Sequence, residues 1–261
     1  MILYDQGENW RVVTQPDHAR FAGELLALWR SDGLPARARR DDLLFATREH
    51  DNGWREADAA PSWNRAAGRP HDFHSLPAPE RREVWRRGSE RFADERPGAA
   101  VLILTHALWI ADLSGGHGAT GWADAEWEEL AGCLAERRDE LAAAARIADD
   151  EIAADFPFLR FADAASLAVC RRQAEPFEVA MGAGRAADGA TGGTVQRGRF
   201  EPATETLYLD PFPLAGATTF RVPCRELPKQ TYRGDADLGG ALAAARWGRF
   251  RVRVAPPHLP G

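Results

Sequence analysis

From Gly98 to Asp112 the chain is apolar on nearly every face that a helix could present. A helix with no polar face has to be wrapped by other elements. The segment therefore predicts a buried central helix and a core several layers deep. Its longest unbroken apolar run, Ala99 to Leu104, is far too short to span a bilayer. Other segments have the one-sided patterning that such a helix needs around it. Gln15-Pro16-Asp17 opens a helix, with Pro in a tolerated first-turn position. Phe21, Leu25, Leu28 and Trp29 then recur at helical spacing until Ser31-Asp32-Gly33 ends it. A second helix is predicted over Asp41–His50 and is stopped by Gly53. Others are predicted over Pro79–Phe92, Ala123–Ile147 and from Pro157 to about Arg172. Glu128, Glu129, Arg137, Arg138, Asp139 and Glu140 read as the solvated face of the Ala123–Ile147 helix.

The texture changes at both ends. Ile2–Tyr4 and Trp10–Thr14 read as two short strands around a turn. Beyond Pro176, the segments Glu178–Met181, Thr194–Phe200, Thr206–Leu209, Thr218–Val222 and Arg249–Val254 carry β-favouring residues between Gly and Pro. The expected fold is mainly α: a helical bundle over about residues 15–175, with a small β appendage built from the C-terminal segment and the N-terminal hairpin. The expected division is a helical metal-binding domain over 1–175, including the hairpin, and a β-rich appendage over 176–261 packed on it. Gly182–Gly193 reads as a Gly/Ala-rich linker, and Ser114–Gly121 as a glycine-rich connector containing His117.

A net charge of −6 argues against general nucleic-acid binding, which requires basic surface to neutralise phosphates. Lys229 is the only lysine among 33 basic residues, so arginine abundance reflects a compositional bias and marks no particular arginine as functional. Cys133, Cys170 and Cys224 are odd in number and widely spaced, which fits reduced thiols better than a disulfide framework. The N-terminal residues lack the basic and apolar regions of a signal peptide. The expectation is a soluble, cytoplasmic chain with no membrane partner.

Chemistry concentrates in a few polar residues on otherwise apolar faces. His18 precedes Phe21, Ala22, Leu25 and Trp29 by 3, 4, 7 and 11 residues and so shares their inward stripe. Asp163 sits among Leu159, Ala162, Ser166, Leu167 and Cys170, again a core-facing set. His50 and Asp51 end the second helix. Adjacent helical residues point about 100° apart, but they can share a target lying beyond the helix tip. Unpaired carboxylates are costly in a core. Two inward histidines and two inward aspartates are compensated together by one divalent cation, for which imidazole and carboxylate are suitable ligands.

The order of these residues resembles that of the HD-domain metal-dependent phosphohydrolases, whose ligands come as His, then His-Asp, then a distal Asp. The segments Gln15-Pro16-Asp17-His18-Ala19, Glu49-His50-Asp51-Asn52-Gly53-Trp54 and Asp163-Ala164-Ala165-Ser166-Leu167 are similar to an uncharacterised bacterial family within that superfamily. The likeness covers roughly residues 1–215, including Leu209-Asp210-Pro211-Phe212-Pro213. It implies that His18, His50, Asp51 and Asp163 hold a divalent metal ion: Mn, Fe, Co, Mg, Ni or Zn. It also implies that Asp51 orients or bridges the attacking water. Glu56 follows the His-Asp pair as a candidate general base, at a longer spacing than the superfamily uses. His106, on the apolar helix, stands where two-metal members place an additional histidine, and here it is a candidate ligand or substrate contact. The Ala123–Ile147 helix carries no second one, so a dinuclear site would need His74 or His117. Arg20, Arg48 and Arg55 flank the ligand segments as candidate substrate-binding residues. The implied function is hydrolysis of a small phosphate ester or nucleotide. The alternatives are an HD-type di-iron oxygenase and a non-catalytic metal- or nucleotide-binding regulator.

Overall fold

The computed structural model describes residues 1–116, 125–181 and 194–257. His117 and His258 lie outside the described residues, as does most of the Ser114–Gly121 connector. About 49% of the chain is helical and 22% is strand, so the fold is α/β. The mainly α expectation, and any all-α description, fails on a seven-stranded sheet curled into a half-barrel.

The elements run β1 (Ile2–Asp5), β2 (Asn9–Val13), α1 (Gln15–Ala27), α2 (Arg40–Glu49), α3 (Arg55–Ala59), β3 (Trp63–Asn64), β4 (Arg69–Pro70), α4 (Ala78–Glu90), α5 (Pro97–Gly116), α6 (Ala125–Ala145), α7 (Asp149–Cys170), β5 (Phe177–Ala180), β6 (Val195–Glu201), β7 (Thr206–Asp210), β8 (Thr218–Pro228), α8 (Asp235–Ala244) and β9 (Trp247–Ala255). Strands from both ends of the chain share the large sheet, in the order β1-β2-β8-β9-β7-β6-β5. Its pairings are antiparallel except β7 with β9, which are parallel.

The strands form one layer because their side chains alternate. Along β6, Gln196, Gly198 and Phe200 are buried while Arg197 and Arg199 are exposed. The inward residues need a common cover, and α1 and α7 supply it. Phe21 of α1 meets Phe220 of β8 with ring centroids 5.3 Å apart, and Phe161 of α7 meets Phe177 of β5 at 5.3 Å. A single buried core therefore contains Leu25, Phe158 and Val169 from helices together with Leu207, Val222, Val252 and Val254 from strands. The other face is covered locally by α8. Val12 and Val13 of β2 point to opposite faces, Val13 into the main core and Val12 against Leu227, Leu238 and Leu242.

On the far side of α1 and α7 from the sheet, α2, α4, α5 and α6 complete the helical layers. Helix α7 begins eight residues before Pro157, where a start was expected. Asp149, Asp150 and Glu151 suit its positive N-terminus, and Glu151 accepts the Ala148 N–H at 2.9 Å. Pro157 removes one interior hydrogen bond, a cost outweighed by burial of Phe158, Leu159, Phe161 and Ala162. No helix among the described residues is long and apolar enough to cross a membrane.

Candidate metal centre

Each residue of the centre is placed by a local device. Thr14 caps α1, accepting the Asp17 N–H at 3.1 Å, and buried Asp58 accepts the Gln15 N–H at 2.6 Å. This fixes the first turn, which carries His18. Helix α2 crosses α1 closely: a Cβ on Gly23 would stand 2.9 Å from the Arg48 Cβ. At the end of α2 the chain turns through Asp51 into a short 3-10 turn over Asn52–Trp54. Asn52 Nδ2 donates to the Glu49 carbonyl at 2.9 Å and to the Gly88 carbonyl of α4 at 3.0 Å. That pair of bonds pins the His50-Asp51 corner against α4.

Gly53 makes the pinning possible. A Cβ there would meet the Val84 carbonyl oxygen at 2.0 Å and the Gly88 Cα at 3.0 Å. Gly53→Ala is therefore expected to push α4 away and to destabilise the fold by about 1–3 kcal/mol, as overpacking does. Read by thermal melting, the fall in Tm should be about 2–12 °C. An unchanged Tm would mean that the approach of α4 is not a constraint.

His18, His50, Asp51 and Asp163 converge in the interior, all at 5% exposure or less. Four of their donor atoms form a closed ring. His18 Nε2 is 2.8 Å from Asp51 Oδ2, which is 3.7 Å from His50 Nε2; that nitrogen is 3.3 Å from Asp163 Oδ1, which is 3.9 Å from His18 Nε2. Donors bound tetrahedrally to one ion at about 2.0–2.2 Å stand about 3.3–3.6 Å apart; the four separations around the ring bracket that value, while the sets whose atoms all lie within 4.8 Å of one another hold three residues each.

Hydrogen bonds on the outer edges of the rings set the proton positions. His50 Nδ1 is 2.8 Å from the Thr47 carbonyl, an oxygen that can only accept, so Nδ1 carries the proton. His18 Nδ1 is 2.7 Å from Ser166 Oγ, and the Ser166 hydroxyl donates to the Asp163 carbonyl at 2.9 Å. The serine's one proton being committed, it accepts from His18. Both rings thus turn Nε2 toward carboxylate oxygens, with His18 Nε2 at hydrogen-bond distance from Asp51 Oδ2, an arrangement made attractive by a cation or by a proton on Nε2. Nδ1–H bonds to a carbonyl or an oriented oxygen are the usual support for a metal-ligating histidine. His50 Nε2 is buried and lies 3.3 Å from Asp163 Oδ1.

The charges are strongly coupled. Burial works against a charge on His50, but Asp51 and Asp163 outweigh it and hold its pKa up at about 9. Burial alone would raise Asp51 and Asp163; the facing histidines overturn that and hold both below the usual carboxylate range. His106 is pushed down to about 4 by burial and by its neighbour His50. Its ring lies 4.7 Å from that of His50, and its buried Nδ1 has no partner. Two overlapping sets of potential ligand atoms result, His18-His50-Asp163 and His50-Asp51-His106.

The remaining candidates lie elsewhere. Glu56 is half-exposed; burial works against its charge, but Arg91 and Arg87 together outweigh that and lower its pKa. Arg20 pairs with Asp17, Arg48 with Glu49 and Arg55 also with Glu49, each with a side chain at least 42% exposed. His74 is exposed, against Phe73, and is outside the cluster. The sequence reading passed over the orienting roles of Ser166, the Thr47 carbonyl and Asn52. Ser166, three residues after Asp163 on the same face, was the one carrying a positional signal.

A family model described as a protein of unknown function (DUF3891) matches residues 1–229. The chain belongs to that family. No curated protein and no solved structure matches it. All five residues of the DUF3891 cluster lie within the matched region, whereas α8 and β9 lie beyond it. The family description assigns no activity.

Proposed function

We propose that this DUF3891 chain is a metal-dependent phosphohydrolase of HD type, acting on a small phosphate ester or nucleotide. The observation that carries the proposal is the pair of proton-locked histidines whose Nε2 atoms face two buried aspartates. The donor set fits a divalent transition ion: two neutral imidazoles and two carboxylates, His18, His50, Asp51 and Asp163. When bound, such an ion supplies Lewis acidity toward a phosphoryl oxygen and a water molecule. The chain's own groups do the positioning. Ser166 and the Thr47 carbonyl hold the two imidazoles in orientation. Asp51, at the end of the helix and closest to His18, is the carboxylate assigned to orient the attacking water. His106, with a free Nδ1, is assigned to the substrate side of the cluster.

The test is metal analysis of the full chain purified without chelators, followed by a phosphomonoester and nucleotide panel with added Mn²⁺, Fe²⁺, Co²⁺, Mg²⁺, Ni²⁺ or Zn²⁺. Metal near one equivalent with metal-dependent phosphate release supports the reading. Metal-loaded chain silent on the whole panel overturns the hydrolase.

Stability should follow metal. An ion that binds only the folded chain stabilises it by mass action, about 4 kcal/mol at a thousandfold excess over Kd. Chelation is expected to lower Tm by about 8–16 °C, with recovery on adding Mn²⁺, Fe²⁺ or Co²⁺. Verified metal-free protein with the same melting curve as metal-loaded protein would remove the ion from the centre.

A further inference from the structure

Arginines near the centre are mostly committed to acids. Arg37 and Arg39 pair with Asp155, Arg55 with Glu49, and Arg87 and Arg91 with Glu56. Arg160 differs. It is half-buried, no carboxylate among the described residues pairs with it, and its Nε is a buried donor with no partner. Burial disfavours its charge. What it touches is a ring: its guanidinium lies 4.5 Å from the Trp109 centroid.

Its position relates it to the centre. Arg160 precedes Asp163 by three residues on α7 and follows Phe156 by four, so all three share one helical face. Trp109 lies 5.9 Å from His106 and 6.2 Å from Phe156 by ring centroids, and His106 lies 4.7 Å from His50. A continuous wall of rings therefore runs from the cluster to the arginine. Stacking on an aromatic face leaves the edge of a guanidinium free, and that edge is a planar fork matched to two oxygens of an oxyanion.

We infer that Arg160, braced on Trp109, binds the phosphoryl oxygens of the substrate beside the metal centre. This rests on the phosphohydrolase reading and names the anion-binding residue of that site. Asp163 and Arg160 would then face one ligand from successive turns of one helix, Asp163 through the ion and Arg160 directly.

The test uses inorganic phosphate as probe, titrated calorimetrically at fixed ionic strength into the full chain, with and without bound Mn²⁺. Arg160→Ala should weaken phosphate binding by about 10–100-fold, the range for a lost charged hydrogen bond. Arg160→Lys should fall in between, since it keeps the charge but loses the fork. Metal content and the chelation-induced fall in Tm should be unchanged in both variants, which a merely structural role would not give. Unchanged phosphate affinity in Arg160→Ala, or no phosphate binding by wild type, overturns the inference. If Arg160→Ala does not fold, the same comparison is read on Arg160→Lys. If wild type binds no metal, the phosphohydrolase reading fails; a phosphate affinity of the metal-free chain that still depends on Arg160 would then uphold the anion site, and its absence would overturn it.

Discussion

Asp51→Ala is expected to abolish both metal retention and turnover, while Glu56→Ala leaves both near wild type. Asp51 offers the carboxylate oxygen that closes the donor ring at 2.8 Å from His18 and 3.7 Å from His50. Truncation leaves two imidazole nitrogens and one carboxylate. Changing a residue one step removed from a metal costs about 10–100-fold in metal affinity or activity, and loss of a direct ligand with its charge should exceed that. Phosphate release should fall to background at every metal concentration tested. Glu56 lies on the surface between Arg87 and Arg91, where substitutions change stability by about 0.5 kcal/mol or less. Metal content and phosphate release on the two variants check the contrast. An Asp51→Ala chain that keeps full metal and full turnover would remove Asp51 from the centre; a Glu56→Ala chain that loses turnover with metal intact would return Glu56 to the mechanism.

The second large effect concerns residues outside the family match. A chain ending at residue 229 keeps everything the family model covers and loses β9, which lies between β8 and β7. Eight residue pairs of the β8–β9 register and the parallel pairing of Thr206, Leu207 and Tyr208 with β9 go with it. Val252 and Val254, both fully buried, leave the main core. Burial of one such side chain is worth about 1.5–3 kcal/mol, and the cut opens two long unpaired edges where there was one continuous ladder. Set against a typical total stability of about 5–15 kcal/mol, the loss should unfold the chain. Residues 1–229 are expected to be insoluble or to melt without a cooperative transition, as seen by circular dichroism. A soluble fragment with a sharp transition would mean that β5, β6 and β7 do not need β9.

Helices on one-sided apolar patterns were legible because burial imposes a 3.6-residue period that survives in the residues themselves. The same period exposed the inward placement of His18 and Asp163. What could be read of the centre was the gathering of His18, His50, Asp51 and Asp163. The partners of that centre were not legible, because sequence proximity stood in for spatial proximity. Arg20, Arg48 and Arg55 adjoin the ligand segments in sequence yet pair with Asp17 and Glu49, whereas Arg160 is a helical turn from Asp163 and hidden among many arginines. The sheet was underestimated for a related reason. Its strands are short, and nothing local says that β1 and β2 share a layer with strands more than 200 residues on. Helix α8 was missed because only Leu238 and Leu242 are buried and Gly239-Gly240 interrupts its propensity.

The place of β9 also bears on the order in which the molecule can be completed during synthesis. The residues of the His/Asp cluster have all been made by position 163, well before the sheet has all its strands. Without β9, the strands that remain fall into two groups, β1-β2-β8 and β7-β6-β5, with no pairing between them. The last strand has to slot between them, antiparallel to one and parallel to the other. Such late, long-range closure is slow and leaves strand edges open to association with other chains. A nascent chain stalled before Trp247 would thus carry every residue of the cluster without the strand that closes the sheet, and would be expected to stay unfolded until β9 is made.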